Sequence, residues 1–267
     1  MIRVYVEGVG LAGPGLTGWQ SGRSVLSGAE PYVPAPTAVG APKQLPPAEG
    51  RRTGLPARLA IAVAQEAFTH ARRDAASTAT VFTSSSGDGD NVHVILEILA
   101  SPHRDVSPTR FHNSVHNAAA GYWSIACRSH EPSTSLCGYD TSFAAGLLEA
   151  ATQIAVEGRA VALIAYDHPY PEPLHAKRPL ATSFAAALIL APEAGEHALA
   201  ALDIEITRSA SRAATGMADH ALEALRTGVP AARCLPLLSA LARNAAEVID
   251  IDYLGGAHLE MRIAPCR

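Results

Sequence analysis

The segment "IRVYVEGVG" alternates apolar with other residues and then meets "LAGPGLTG", a glycine-proline turn, so a strand is predicted over residues 2–9. From 31 to 56 proline, alanine and glycine break every periodicity, and this stretch reads as a surface loop. In "PARLAIAVAQEAFTHA" the residues Leu59, Ala60, Val63, Ala67 and Phe68 share one face, which predicts an amphipathic helix opening at Pro56. "ATVFTSSSGDGDN" is an apolar strand entering a Ser/Gly/Asp turn, and "VHVILEILAS" is helical. A small-residue helix starts at about Asn117, where Ala118, Ala119, Ala120 and Gly121 predict close packing on a neighbour. "PSTSLC" is a short strand, followed by a buried helix carrying Ala144, Leu147, Leu148, Ala151, Ile154 and Ala155 and ended by Gly158. "RAVALIAYDHP" and "SFAAALILAPE" are continuous apolar runs, as in strands covered on both faces. The remainder gives "ALDIEITRS", helices in "MADHALEALRTG" and "CLPLLSALARNA", and strands at "EVIDIDYL" and "HLEMRIAP". Strand and helix alternate throughout, which predicts a layered α/β fold.

Composition narrows the partners. The 267 residues are 48% hydrophobic and 17% charged, enough for one substantial core or two small ones. A formal net charge of −4 and the absence of a Lys/Arg run argue against nucleic acid and anionic membranes. No apolar run reaches the roughly 18 to 20 residues of a membrane span. Cys127, Cys137, Cys234 and Cys266 are irregularly spaced, and "MIRVYVEGVG" lacks the layout of a signal peptide, so reduced thiols and a cytoplasmic location are expected.

Several residues invite chemistry. Cys137 stands at a strand-to-helix turn, where a helix N-terminus can turn a thiol into a nucleophile. His112 and His116 have the i, i+4 spacing of metal ligands, but further ligands are not evident, so hydrogen bonding or capping is the stronger reading and no metal is expected. Ser84, Ser85 and Ser86 lack the Gly-x-Ser-x-Gly frame of a nucleophile elbow and read as a turn. Asp167 and His168, after an apolar strand, read as a pocket rim or as the polar start of a loop. Neither a Walker nor a Rossmann glycine pattern is present, and no cofactor is expected.

The order "VYVEGVGLAGPGLTG", "HNAAAGYWSIA", "PSTSL", "SFAAGLLEAATQIAVEG", "AVALIAY" resembles that of β-ketoacyl synthases. More narrowly, "SPTRFHNSVHNAAAGYWSIA" with "PSTSLC" and "SFAAGLLEA" resembles the chain-length-factor subunits of aryl polyene biosynthesis. The resemblance implies a thiolase-like fold of five alternating layers, αβαβα, with residues 1–192 as the N-terminal half. A full second half needs roughly 95 residues. The tail, 193–267, is shorter, so an abridged C-terminal half packed on the same body is expected.

The family pattern laid forward from Pro132 puts its cysteine on Asp140, and laid backward from Gly158 puts it on Thr141. An aspartate or threonine there caps a helix but carries no acyl thioester. The histidine and lysine motifs of the family's second half are also missing beyond Pro192. The resemblance therefore implies a non-catalytic partner of an active β-ketoacyl synthase. The two would form a heterodimer through the "PSTSLC" strand and the neighbouring helix, which elongates chains held on an acyl carrier protein. Phe111, His112, His116, Asn117, Tyr122, Trp123 and Phe143 are its candidates for the acyl tunnel or the interface. Two alternatives stay open: a stand-alone acyltransferase or thioesterase using Cys137 or Ser142, and a homodimeric acyl-binding module.

Overall fold

The computed structural model describes residues 1–208 and 213–266. The alternating N-terminal pattern continues past residue 9, and β1 runs over Ile2–Gly13 before hooking back through the two-residue β2 (Leu16–Thr17). Helix α1 (Trp19–Leu26) follows, and the loop contains one short helix, α2 (Pro47–Arg52). Helix α3 (Leu55–Ala71) opens with proline in its first turn, as the sequence predicts, and all five residues of its expected apolar face are buried. Strand β3 (Ala79–Thr83) leads into the serine turn and α4 (Gly89–Ala100), whose first turn is capped by the Asp88 side chain.

A six-residue helix not foreseen from the pattern, α5 (Pro108–Asn113), precedes α6 (Ala118–Cys127). In α6 the packing face is Ala119, Ala120, Tyr122 and Trp123, with Trp123 stacked on Phe68 at 5.4 Å. Gly121 faces open space, so the expected four-residue small patch is only partly a contact surface.

Strand β4 (Ser133–Leu136) precedes α7 (Ser142–Glu157), which Gly158 ends in a left-handed conformation. Strand β5 (Val161–Asp167), a single turn α8 (Leu174–Lys177) and β6 (Phe184–Ala191) come next. The chain closes with β7 (Ala200–Thr207), α9 (His220–Gly228), α10 (Leu235–Arg243), β8 (Glu247–Asp252) and β9 (His258–Pro265). Ser209, at the end of the predicted "ALDIEITRS" segment, lies outside the described residues.

The strands form one sheet in the order β4-β3-β5-β6-β1-β7-β9-β8, with β2 on β1. β3 is parallel to β4 and β5, and the pairs from β5 to β8 along that order are antiparallel. Every residue of β5 and β6 is buried because helices cover both faces. Along β6, Phe184, Ala186, Leu188 and Leu190 join one core with residues of α1, α7 and α10. Ala185, Ala187 and Ile189 join the other with α3 and α6, as the two-residue period of a strand requires.

Two features anchor this architecture. Gly8 and Gly10 lie on one face of β1, and an added Cβ would fall 2.3 Å from the Ala67 carbonyl oxygen and 1.9 Å from that of Val63, so the backbone of α3 rests directly on the strand. The Asp167 carboxylate, fully buried at the end of β5, accepts from Ser85 N (2.8 Å), Ser85 Oγ (2.7 Å), Ser84 Oγ (3.2 Å) and Ala231 N (2.8 Å). It ties the turn after β3 to the segment between α9 and α10. The expected pocket-rim or loop role for Asp167 is thereby corrected: it is an internal anchor. The serines form a turn, as expected.

Candidate functional site

β4 is the outermost strand at its end of the sheet, and its residues are only partly covered. Leaving it, the chain passes Cys137 and Gly138 and makes a tight turn over Tyr139–Thr141 before α7 begins at Ser142. Tyr139 takes φ 55°, a left-handed conformation unfavourable for a residue with a side chain. Internal hydrogen bonds hold the turn: Thr141 Oγ1 donates to Gly138 O at 2.7 Å, Ser142 Oγ donates to Tyr139 O at 2.7 Å, and Gly138 N donates to Ser142 Oγ at 3.1 Å.

Thr141 therefore occupies the capping position of α7, but its side chain caps nothing, which corrects the expectation for that residue. Asp140 is not a cap either. Its Oδ1 accepts from Arg178 Nη2 at 2.9 Å, and the Arg178 guanidinium lies 3.4 Å from the centre of the Tyr139 ring. Burial opposes the Arg178 charge, but the hydrogen bond with Tyr139 and the charge of Asp140 more than offset it, so its pKa is raised.

At the start of α7 the chain thus presents an arginine-aspartate pair held over an aromatic ring. Neither side chain is a thiol that could carry an acyl thioester. Cys137 is exposed and donates through Sγ to Ser85 O at 3.5 Å, and none of the described hydrogen bonds joins it to a histidine. Ser142 is almost fully buried, with its hydroxyl engaged twice. Cys127 and Cys234 are held as thiols by burial, Cys127 with its pKa pushed up to about 11.

The seven tunnel or interface candidates divide among three places. Phe111 (70% exposed), His112 and Asn117 lie on the surface. His116 donates Nε2–H to Ser84 O at 3.1 Å, while Tyr122 donates to Asn113 Oδ1 at 2.8 Å and meets His112 edge-on at 6.0 Å. Trp123 and Tyr122 belong to the α3–α6 core, whereas Phe143 belongs to the core on the opposite face of the sheet. The space beside His116 and Tyr122 is only about 10 Å³, room for a water at most. His112 lies in the last turn of α5, which ends at Asn113, and His116 lies beyond it, so the two do not share a helix face. No cluster of three or more metal-ligating side chains occurs among the described residues.

Arg178 escaped sequence reasoning. It lies 38 residues beyond Asp140, in the non-periodic stretch "HAKRP", and nothing local ties it to the turn.

The fold and the turn before α7 are those of a synthase-like body. Residues 19–237 match the family model for the β-ketoacyl synthase N-terminal domain, and the chain belongs to this family. Among solved structures, it is similar to a chain of the ketosynthase (ApeO) in complex with its chain length factor (ApeC) from Xenorhabdus doucetiae. That pair shares 23% identity at TM-score 0.74 over 98% of this chain and 100% of that one. The ishigamide ketosynthase/chain length factor follows at 16% identity and TM-score 0.73, over 99% and 100%. A β-ketoacyl synthase from Burkholderia phymatum STM815 matches at 13% identity and TM-score 0.71, over 100% of both chains. These likenesses show a shared fold. No curated protein matches the chain. Among the described residues no helix is long and apolar enough to cross a membrane.

Proposed function

We propose that the chain is a non-catalytic ketosynthase homologue, a chain-length factor. It would pair with an active β-ketoacyl synthase and shape the acyl tunnel during elongation on an acyl carrier protein. The observation that carries this reading is the Asp140–Arg178 pair at the start of α7, where a condensing enzyme needs a free thiolate. Two of the solved structures with the same fold are of ketosynthase and chain length factor systems, in keeping with it.

The surface has room for such a partner. β4 leaves a sheet edge open. In α4, Val92, Leu96 and Leu99 face solvent, and Phe111 and Val115 nearby add to an exposed apolar patch. Phe111, His112 and Asn117 would contribute on that side, and the tunnel would be completed by the partner. The finer architecture belongs to the same proposal: a thiolase-like layering, built here on one continuous sheet, whose second half, residues 193–267, is shortened to β7–β9 with α9 and α10. The exposed Cys137 is what keeps a stand-alone acyltransferase or thioesterase in view.

Co-expression with an active synthase is expected to yield a stable complex, and intact-mass analysis after incubation with malonyl or acyl carrier protein is expected to show no acyl group on this chain. Covalent loading that disappears in Cys137→Ala would overturn the proposal. Leu96→Asp is expected to weaken the complex by about tenfold or more, through a charge buried at an apolar contact, while leaving the melting temperature of the isolated chain within error.

A further inference from the structure

β7 pairs with β1 only over Ile2–Val6, and the chain bulges between Val6 and Gly8. Between that point and the β2 pairing at Ala12, the edge amides of β1 have no strand to receive them. Helix α3 supplies acceptors instead. His70 Nδ1 accepts from Val9 N at 3.1 Å, and one turn earlier Glu66 Oε2 accepts from Leu11 N at 2.8 Å. Glu66 Oε1 accepts from Trp19 N at 2.5 Å and so caps α1, whose own cap position is a glycine.

Two consequences follow. Both Glu66 oxygens are engaged by backbone N–H groups, which offset its charge. His70, accepting at Nδ1, is neutral with its proton on Nε2, and no protein partner for that proton is found among the described residues.

These residues border a groove of about 700 Å³ between α1, α3 and the end of α10, within the size range of small-molecule sites. Val9, Trp19 and Ala242 form its apolar wall. Arg23 stands at the rim and donates Nε to the Ala242 carbonyl at 3.4 Å, leaving its two terminal nitrogens for a ligand. The Ser27 and Thr69 hydroxyls donate to the carbonyls of Ser24 and Gln65. The groove therefore offers one fixed cation, a neutral imidazole N–H and no unengaged carboxylate.

We propose that this groove binds a small organic monocarboxylate, with its oxygens on the Arg23 guanidinium and His70 Nε2–H and its apolar body against Trp19. The guanidinium fork matches a carboxylate. A single positive charge, with Glu66 close behind it, suits a monoanion better than a phosphate dianion. Burial holds the His70 pKa down, with Val9 and Glu66 acting against it and the nearby charges of Arg23 and His197 adding to it, in keeping with a neutral ring.

The groove shares no lining residue with the Asp140 turn, and its test is independent of partner binding. The full chain is titrated at neutral pH and constant ionic strength with hexanoate, benzoate or inorganic phosphate. Tryptophan fluorescence and ligand-observed NMR report binding. Saturable binding of a carboxylate is expected, unaffected by competing phosphate and weakened about tenfold or more in Arg23→Gln. No saturable carboxylate binding, displacement by phosphate at equal concentration, or unchanged affinity in Arg23→Gln would each overturn it. The phosphate competition is read on the wild-type chain and does not depend on how the variant folds.

Discussion

Asp167→Ala is expected to lower the unfolding free energy by about 4 kcal/mol, read by denaturant unfolding. The carboxylate is buried and receives four hydrogen bonds, two of them from the backbone amides of Ser85 and Ala231. Serine hydroxyls can turn elsewhere, but two buried amides cannot, and each stranded group costs about 1–3 kcal/mol. Asp167→Asn is expected to fall in between, since its oxygen still serves Ser85 while its NH2 meets the Ala231 N–H.

Burial raises the Asp167 pKa above its usual 3.8, and the hydrogen bonds from Ser85, Ala231 and Ser84 only partly counter this. The folded state thus holds its proton more tightly than the unfolded chain. The stability it contributes is full below the ordinary carboxylate range and is lost as the pH rises through the folded-state value. The gap between wild type and Asp167→Ala should therefore narrow as the pH is raised through that window. A gap that widens would show that the donors outweigh burial.

Gly10→Ala is expected to cost about 3 kcal/mol or more, at the upper end for an overpacked core. A Cβ there would lie 1.9 Å from Val63 O and 3.1 Å from Ala67 N, both backbone atoms of α3, so no rotamer change relieves the clash. The whole helix would have to lift from β1, and with it Glu66 and His70, which serve the amides of Leu11 and Val9. Gly28→Ala is the control: it has φ 82° but nothing within 4 Å, so only the backbone penalty of about 1–2 kcal/mol applies. Equal melting temperatures for the two variants would refute the close-contact account.

Much of this fold was legible in the chain. The apolar runs of β5 and β6 carry no alternation because both faces are covered, and the periodic face of α3 is wholly buried. The short α5 and α8 went unseen because a helix of one or two turns has no period to detect. The pairing of β7 on β1 was illegible because it joins Ile2–Val6 to residues 200–204, near the opposite end of the chain, which no local pattern records.

At the candidate site, counting from Pro132 and Gly158 assigns the family's cysteine place to Asp140 or Thr141 and leaves Cys137 upstream of it. The use made of that place was not legible. Capping chemistry predicts an N-cap bond from Thr141, yet the turn before α7 offers its hydroxyl the Gly138 carbonyl, while Arg178 draws Asp140 aside. Tyr122, Trp123 and Phe143 are buried in the two cores, and since large apolar residues line channels and cores alike, the sequence does not tell the two roles apart.

The two ends of the sheet differ in a way that bears on how the chain behaves when alone. The β8 end is guarded: "EVIDID" carries three acidic residues, Glu247, Asp250 and Asp252, the first and last paired with Arg243 and Arg233, and an incoming strand would have to strip water from these charged side chains. The β4 end, "STSL", carries no charge, proline or bulge to discourage one. Any strand that adds to this sheet, whether from a proper companion or from a misfolded copy, is therefore steered to one end only. Purified without a companion, the chain should aggregate through β4, and a lysine placed at Thr134 should slow that aggregation more than one placed at Val248.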